Sequence, residues 1–158
     1  MSTQSKLFAT AFLLFCFLAP LLKSQTCDEN LVSQIDRIKQ EVETSLITAT
    51  TAETKLASGE NLLAFYLDGK LIKISVDNNN NDGPYFSTEL FFRDGFVKHI
   101  AEEYSRNGKF YKDCYYFADD KLICYKDVKS NEYKSADKYE KAEKKWLKKV
   151  EKYLEAIQ

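Results

Sequence analysis

The chain of 158 residues is poor in several residue types on which common protein classes depend. It contains one histidine, two prolines, five glycines and one tryptophan. So little glycine and proline excludes collagen and low-complexity disorder, and a single imidazole, His99, argues against histidine-based metal or triad chemistry. The 23 basic residues nearly balance the 24 acidic ones. The sequence therefore offers no positive field for a nucleic acid, and we expect no nucleic-acid partner.

Motifs that carry chemistry are also lacking. The sequence has no serine nucleophile elbow, no P-loop, no dinucleotide-binding glycine pattern and no Cys-x-x-Cys. The run over residues 77–82 keeps only Asp82-Gly83 of a calcium loop, and we interpret it as a solvated turn. His99 lies in the middle of a predicted strand, where we interpret it as a surface histidine. No catalytic residue, metal or cofactor is predicted.

The first residues have the pattern of an export signal. An almost entirely apolar run over residues 7–22 lies between Lys6 and Lys23. As a helix it would span about 24 Å at ~1.5 Å per residue, which is short of the ~30 Å hydrocarbon core of a bilayer. We predict a signal peptide over residues 1–24 that is cleaved after Ser24, and a secreted or periplasmic protein. The alternative is an uncleaved membrane anchor.

Three cysteines remain after the predicted cleavage, and they enter an oxidising compartment. These are Cys27, Cys114 and Cys124. A lipid-bearing Cys27 would need an aliphatic residue three positions before it and a small residue just before it, and Ser24 and Thr26 fit that pattern poorly. The other interpretations of Cys27 are a free thiol or a disulfide with one of the remaining cysteines. Membrane contact is expected only if Cys27 carries a lipid or the signal is retained.

The middle of the chain repeats itself at intervals of 25 or 26 residues, over residues 65–71, 91–97 and 116–122. Each stretch has aromatic residues, a tight Asp-Gly or Asp-Asp turn and an apolar residue two positions after the turn. We predict three hairpins whose three-residue loops are a type I turn followed by a left-handed residue that forms a bulge. The resulting six strands are 61–67, 70–76, 85–92, 96–104, 109–117 and 121–127.

Two helices are predicted to flank the strands. Leu31, Ile35, Ile38 and Val42 form one apolar stripe, with Asp28 or Asn30 as the cap. A second stripe recurs every three or four residues after Ser135 and consists of Ala136, Tyr139, Ala142, Trp146, Val150, Tyr153 and Ile157. The predicted fold is therefore α+β, a six-stranded antiparallel meander with an N-terminal helix and a C-terminal amphipathic helix packed on it. Residues 25–60 hold the first helix and a connector, 61–128 the meander and 129–158 the last helix, as one domain.

The loop expected in the third hairpin also indicates a disulfide, because it determines which residues lie opposite each other. A three-residue loop over residues 118–120 places Phe117 opposite Lys121, and therefore Cys114 opposite Cys124. Opposed residues have Cβ atoms about 4.5–5.5 Å apart, and a disulfide requires about 3.8 Å. We therefore predict a Cys114–Cys124 disulfide. A two-residue turn would instead place Cys114 opposite Tyr125 and break this pair.

The hairpin motif carries a family resemblance. Residues 61–158 resemble a group of small exported proteins of Gram-negative bacteria with no assigned function, which have repeated aromatic-aromatic-x-Asp/Asn-Gly-Lys-Leu hairpins and a closing amphipathic helix. The matching stretches are 66–71, 92–97 and 116–122, where Phe96 and Asp120 depart from the usual Lys and Gly. The hairpin unit is also similar to MORN-type repeats of some bacterial antitoxin or immunity proteins, although those contain more glycine. Neither resemblance implies a catalytic residue.

The aromatic residues exceed what one covered sheet face needs, and they suggest a function. We predict a non-enzymatic binding module that holds an envelope or extracellular protein, or a glycan, against an exposed sheet face. The predicted anchors are Tyr85, Phe91, Tyr111, Tyr115 and Tyr125.

Two other functions remain open at this point. The protein is alternatively an inhibitor or immunity protein that inserts the acidic loop over residues 77–82 into the cleft of a hydrolase. The third hypothesis is a hydrolase that uses the carboxylates of Glu89, Glu102 and Glu103.

Overall fold

The computed structural model describes residues 27–78 and 84–158. The predicted signal peptide and most of the acidic run over residues 77–82 lie outside this part of the chain. The described elements, in chain order, are α1 (Glu29–Ser45), β1 (Thr50–Lys55), β2 (Asn61–Leu67), β3 (Lys70–Asp77), β4 (Phe86–Arg93), β5 (Phe96–Arg106), β6 (Lys109–Ala118), β7 (Lys121–Asp127), β8 (Glu132–Tyr133) and α2 (Ala136–Ala156).

The predicted α+β class, with an antiparallel sheet between two helices, is confirmed, but the sheet has eight strands and not six. All eight are hydrogen-bonded in chain order. The six predicted strands are β2–β7, with ends within two residues of the prediction. The two additional strands, β1 and β8, are almost entirely exposed. They have no buried side chains that alternate with exposed ones, and such alternation is the signal by which a strand is recognised in a sequence.

The turns of the three repeated hairpins contain two residues, so the predicted three-residue loops are wrong. Asp68 and Gly69 both have positive φ, 50° and 74°, as do Asp119 and Asp120 in the third hairpin, 50° and 57°. Positive φ at both positions is the conformation of a type I′ turn, whose twist matches that of the strands it joins. Aspartate, unlike most residues, tolerates this left-handed conformation.

Each of the three hairpins also has one extra residue in its second strand. In the first hairpin Phe65 lies opposite Lys73, while Tyr66 lies opposite Leu71, which leaves Ile72 without a partner. Lys98 and Ile123 occupy the equivalent positions in the other two hairpins. The bulge therefore lies within the strand after the turn, and the three repeated stretches share it.

The predicted Cys114–Cys124 disulfide is wrong, because the turn and the bulge both shift the register. The two-residue turn moves the partner of Cys114 by one position and the extra Ile123 moves it by another, so that Cys114 lies opposite Lys126. Cys124 is instead bonded to Cys27, with their Cα atoms 5.0 Å apart. Cys114 is a buried free thiol, and burial raises its pKa to about 11.

Helix α2 covers one face of the sheet. A row of cross-strand partners on this face runs through Ala64, Ile74, Leu90, Ile100, Tyr115 and Tyr125. Trp146 of α2 is fully buried on this row, and its ring centre is 5.2 Å from that of Tyr115. The helix is also held at one point by a hydrogen bond, in which the backbone N–H of Leu122 donates to Glu143 over 2.7 Å. This α2 face contains the larger core of the protein.

Helix α1 packs on the opposite face. It begins at its cap Asp28, whose carboxylate accepts hydrogen bonds from the backbone N–H groups of Asn30 and Leu31. Ile35 is buried in a second cluster with Ala101, Cys114, Tyr116 and the Cys27–Cys124 disulfide. The disulfide thus ties the start of α1 to β7 and keeps the helix on this face.

We expect the Cys27–Cys124 bond to make a large contribution to stability. Replacing both residues with alanine should lower the free energy of unfolding by about 2–5 kcal/mol, because the bond closes a long loop between residues separated by 97 positions. Urea denaturation followed by tryptophan fluorescence measures the change. Cys114→Ala serves as the control, since it removes a thiol that crosslinks nothing. A larger loss in this control would contradict the assignment.

Candidate ligand-binding site

The five predicted aromatic anchors do not share one exposed face. Tyr111, Tyr115 and Tyr125 lie on the α2 face, where Tyr115 is buried beneath Trp146. Phe91 is fully buried on the opposite face of the sheet, which α1 partly covers and which we call the α1 face. The two helices therefore cover much of the aromatic surplus, and the fifth residue, Tyr85, is the most exposed of the predicted anchors.

Beneath α1, the buried row on the sheet contains an unexpected polar group. His99 is buried, and its ring lies edge-on between Phe91 and Tyr116, with ring centres 5.6 and 4.8 Å away. The interpretation of His99 as a surface residue is therefore wrong, because α1 packs over its strand. Desolvation, with smaller effects from the charges of Lys39 and Lys112, lowers its pKa from 6.5 to about 3. The ring is neutral at ordinary pH and provides no cation for catalysis.

On the α2 face, two carboxylates lie directly opposite one another, Glu102 on β5 and Asp113 on β6. Glu102 accepts a hydrogen bond from the hydroxyl of Tyr115 over 3.1 Å and is 3.2 Å from the ammonium of Lys145. Lys149 lies 3.9 Å away on the same carboxylate, and its own burial lowers its pKa. These contacts attach α2 to the middle of the sheet.

Asp113 has a different environment from its neighbour. Its carboxylate accepts hydrogen bonds from the hydroxyls of Tyr104 and Tyr125, each over 3.3 Å. Desolvation raises the pKa of Asp113 despite these contacts and the nearby charge of Lys134. The Tyr104 ring stacks on Tyr111, with ring centres 5.2 Å apart, so that the predicted anchor Tyr111 forms part of this aromatic and acidic cluster.

The three carboxylates of the hydrolase hypothesis are not brought together. Glu102 faces α2, while Glu89 and Glu103 lie on the other side of the sheet. Glu89 is paired with Lys73, and Glu103 with Lys112, each over 2.5 Å. Each carboxylate therefore has a lysine partner of its own.

Part of the α1 face is left accessible by the described helices, and we call it the open sheet face. It lies on strands β3–β6 and on Tyr85, beyond the area where α1 packs. Its side chains are partly or fully exposed in the described structure. They are Ser75, Tyr85, Ser87, Glu89, Glu103, Ser105, Phe110 and Lys112, and adjacent strands bring them into neighbouring rows.

An exposed aromatic pair forms one end of the open sheet face. Tyr85 is 46% exposed and Phe110 is 67% exposed, and their ring centres lie 6.1 Å apart in an edge-to-face arrangement. Two hydrogen bonds of 2.9 Å hold the backbone of Tyr85 against Ser105. The hydroxyl of Ser105 accepts from the backbone N–H of Tyr85, and the backbone N–H of Ser105 donates to the carbonyl of Tyr85. Phe110 was missed by the sequence analysis, although the Asn107-Gly108 turn alone places it opposite Ser105.

A separate cleft of about 1200 Å³ lies between α1 and the turns of the first two hairpins. Val42, Leu71, Ile72 and Phe92 are among its apolar lining residues. Its charged lining residues balance, because three cations accompany three anions, and one of each, Arg93 and Glu41, form an ion pair. The cleft therefore has no preference for a ligand of one charge. Its charged lining residues are Arg37, Glu41, Asp68, Lys70, Arg93 and Asp94.

Comparison with protein-family models, curated proteins and solved structures finds no match for the chain. Within residues 27–78 and 84–158, no helix is both long and apolar enough to cross a membrane. In the same part of the chain, no group of three His, Cys, Asp or Glu side chains is arranged to hold a metal ion.

Stability should depend on pH through His99. The pKa of His99 is about 3 in the folded chain and 6.5 in the unfolded chain. Its contribution to the free energy of unfolding is therefore complete above pH 6.5 and is lost as the pH falls towards 3. The expected loss is about 1.4 kcal/mol per pH unit. Urea unfolding at pH 7, 6, 5 and 4 should show a shallower dependence for His99→Phe than for the wild type. Parallel pH profiles would contradict a buried neutral imidazole.

The ion pairs on the two faces should differ in strength. Glu102→Gln should lower the free energy of unfolding by about 1–3 kcal/mol, because it leaves two lysines and a buried hydroxyl without their charged acceptor. Glu103→Gln is the matched control and should cost less than about 1 kcal/mol. The side chain of Glu102 is 9% exposed, whereas that of Glu103 is 42% exposed. Equal effects in thermal or urea unfolding would refute this ranking.

Proposed function

We propose that the protein is a secreted or periplasmic binding module without enzymatic activity, and that it holds a carbohydrate against the open sheet face. The observation that carries this proposal is the exposed pair of Tyr85 and Phe110 at the end of rows of serine, glutamate and lysine side chains. Contiguous exposed apolar surface often marks an interaction site, and the contact between these two rings makes their exposed surfaces contiguous.

The chemistry of the open sheet face fits a sugar. A sugar ring has apolar C–H faces and a rim of hydroxyl groups. The aromatic pair provides a large contact area at a low cost in side-chain entropy, while serine hydroxyls and glutamate carboxylates can bond the rim. The Glu103–Lys112 ion pair holds two of these polar groups in place across the strands, so less ordering is needed on binding.

The proposed location is supported by two observations. The apolar run over residues 7–22 is typical of a signal peptide, and disulfides such as Cys27–Cys124 form in oxidising compartments. Because the sulfur of Cys27 is bonded to Cys124, it is not available to carry a thioether-linked lipid. We therefore propose that the module acts without a lipid at Cys27.

The non-enzymatic part of the proposal rests on the arrangement of the ionisable groups. The carboxylates of Glu89, Glu102 and Glu103 are divided between two faces, and the imidazole of His99 is buried and neutral. The inhibitor hypothesis depends on residues 77–82, most of which lie outside the described chain. No contact of the described residues favours it over carbohydrate binding.

The proposal predicts saturable binding of a soluble oligosaccharide. We would titrate the labelled mature chain with hexasaccharides of glucose and of N-acetylglucosamine in several linkages, and follow backbone amide shifts by NMR. At least one should shift the amides of residues 85, 87, 103, 105 and 110. Phe110→Ser should weaken that binding by about tenfold or more, because aromatic anchors contribute most of the energy in such sites.

Phe96→Ser is the matched control, since Phe96 is also an exposed phenylalanine, 49% accessible, but lies at the turn of the second hairpin. It should leave binding unchanged, and both variants should retain the wild-type melting temperature within a few degrees. Equal losses in the two variants, or shifts confined to the cleft beside α1, would disprove the proposed site. If no oligosaccharide in the series shifts any amide, the proposed ligand class is wrong.

A further inference from the structure

One edge of the sheet is formed by a strand with no partner on its outer side among the described residues. Strand β1 pairs with β2 and stands first in the strand order. It carries no proline and no bulge, which are two features that commonly protect an exposed edge. Ile47, just before the strand, is 90% exposed. The one protective feature of the strand is its charge, above all Lys55, so the edge is suited to a strand that brings an opposite charge to it.

The hydrogen-bonding pattern determines which backbone groups of β1 point outward. The N–H of Leu56 donates to the carbonyl of Glu60 over 2.9 Å, in the same register that pairs Thr54 with Leu62 and Ala52 with Ala64. In an antiparallel ladder every second residue bonds the same neighbour. The even-numbered residues of β1 therefore bond β2, and the odd-numbered residues direct their N–H and C=O groups away from the sheet.

The outward-directed residues are Thr51, Glu53 and Lys55, and their side chains share the α1 face. If two copies of β1 pair antiparallel about a twofold axis, side chains of the same face meet. One register places Glu53 opposite its own copy, which is unfavourable because like charges meet. Another places it opposite Thr51. A third places Glu53 of each copy opposite Lys55 of the other, so that two pairs of opposite charge form.

From this pattern we infer that β1 is a self-association edge, through which two copies of the chain join their sheets with Glu53 opposite Lys55 of the other copy. Opposite charges on directly opposed residues stabilise a strand pair, and like charges destabilise it. The paired segment is short and buries little area, so the dimer is weak and forms at high protein concentration. This inference does not depend on the proposed carbohydrate binding.

The symmetry has a consequence for any ligand of the open sheet face. A twofold axis perpendicular to the sheet keeps the α1 faces of both copies on the same side. Two open sheet faces would then lie on one side of a joined sheet, where one long polymer could contact both. Such bivalent contact raises the apparent affinity without any new contact.

Sedimentation equilibrium of the mature chain at roughly 0.02–1 mM tests the association, since a dimer with a dissociation constant in the micromolar to millimolar range is populated there. The wild type should show a dimer fraction that rises with concentration. E53K and K55E should each raise the dimer dissociation constant about tenfold, because two attractive pairs become repulsive, and the charge-swapped double variant E53K/K55E should restore it. A monomer at every concentration, or three variants that behave like the wild type, would overturn the inference.

The register has a separate test that does not depend on the charges. In the proposed pairing Thr54 lies opposite Thr54 of the second copy, between the hydrogen-bonded pairs, where side chains approach most closely. In a Cys114→Ala background, T54C should form a disulfide-linked dimer at least fivefold faster than A52C under mild oxidation, which non-reducing electrophoresis measures. Circular dichroism confirms that both variants are folded. Equal crosslinking rates would show that β1 does not pair in this register.

Discussion

The register of the three bulged hairpins is the constraint on which the rest of the structure depends. Because side chains alternate along a strand, a shift of one residue moves each side chain to the opposite face. In every hairpin a two-residue turn is followed by one extra residue in the second strand, at Ile72, Lys98 or Ile123. The bulge restores the face that the shorter turn would have exchanged, so every hairpin contributes residues to the apolar row beneath α2.

The sequence was informative where a pattern spans several residues. The apolar stripes predicted both helices, and the Asp-Gly and Asp-Asp turns with alternating strands predicted six of the eight strands. The disulfide was mispredicted because the partner of Cys114 depends on the exact length of the turn and on the one extra residue, Ile123, and the sequence pattern determines neither. The burial of His99 was missed for another reason, since it results from the packing of a helix that is distant in sequence. The open sheet face was not predicted from the sequence, because it combines residues of several strands and depends on how those strands pair.

The two faces of the sheet use their polar groups for different purposes. On the α2 face, Glu102 lies within 4 Å of two lysines of the helix, Lys145 and Lys149. Burial of such charges costs desolvation energy, so the pairs add little net stability, but the loss of one partner leaves a buried charge uncompensated. On the open sheet face the Glu103–Lys112 pair joins neighbouring strands and remains accessible. Groups that are fixed in position and still reach solvent are suited to contact a ligand.

Both proposed surfaces follow from the same property of a meander. A sheet built from consecutive hairpins has two free edges, and its faces are covered only where a helix is attached. Here the disulfide at Cys27 holds the start of α1 close to β7, while β1 stands first in the strand order, at one edge of the sheet. The disulfide therefore completes the smaller core at the start of α1, while the open sheet face and the β1 edge lie outside that core and are accessible for contact with other molecules.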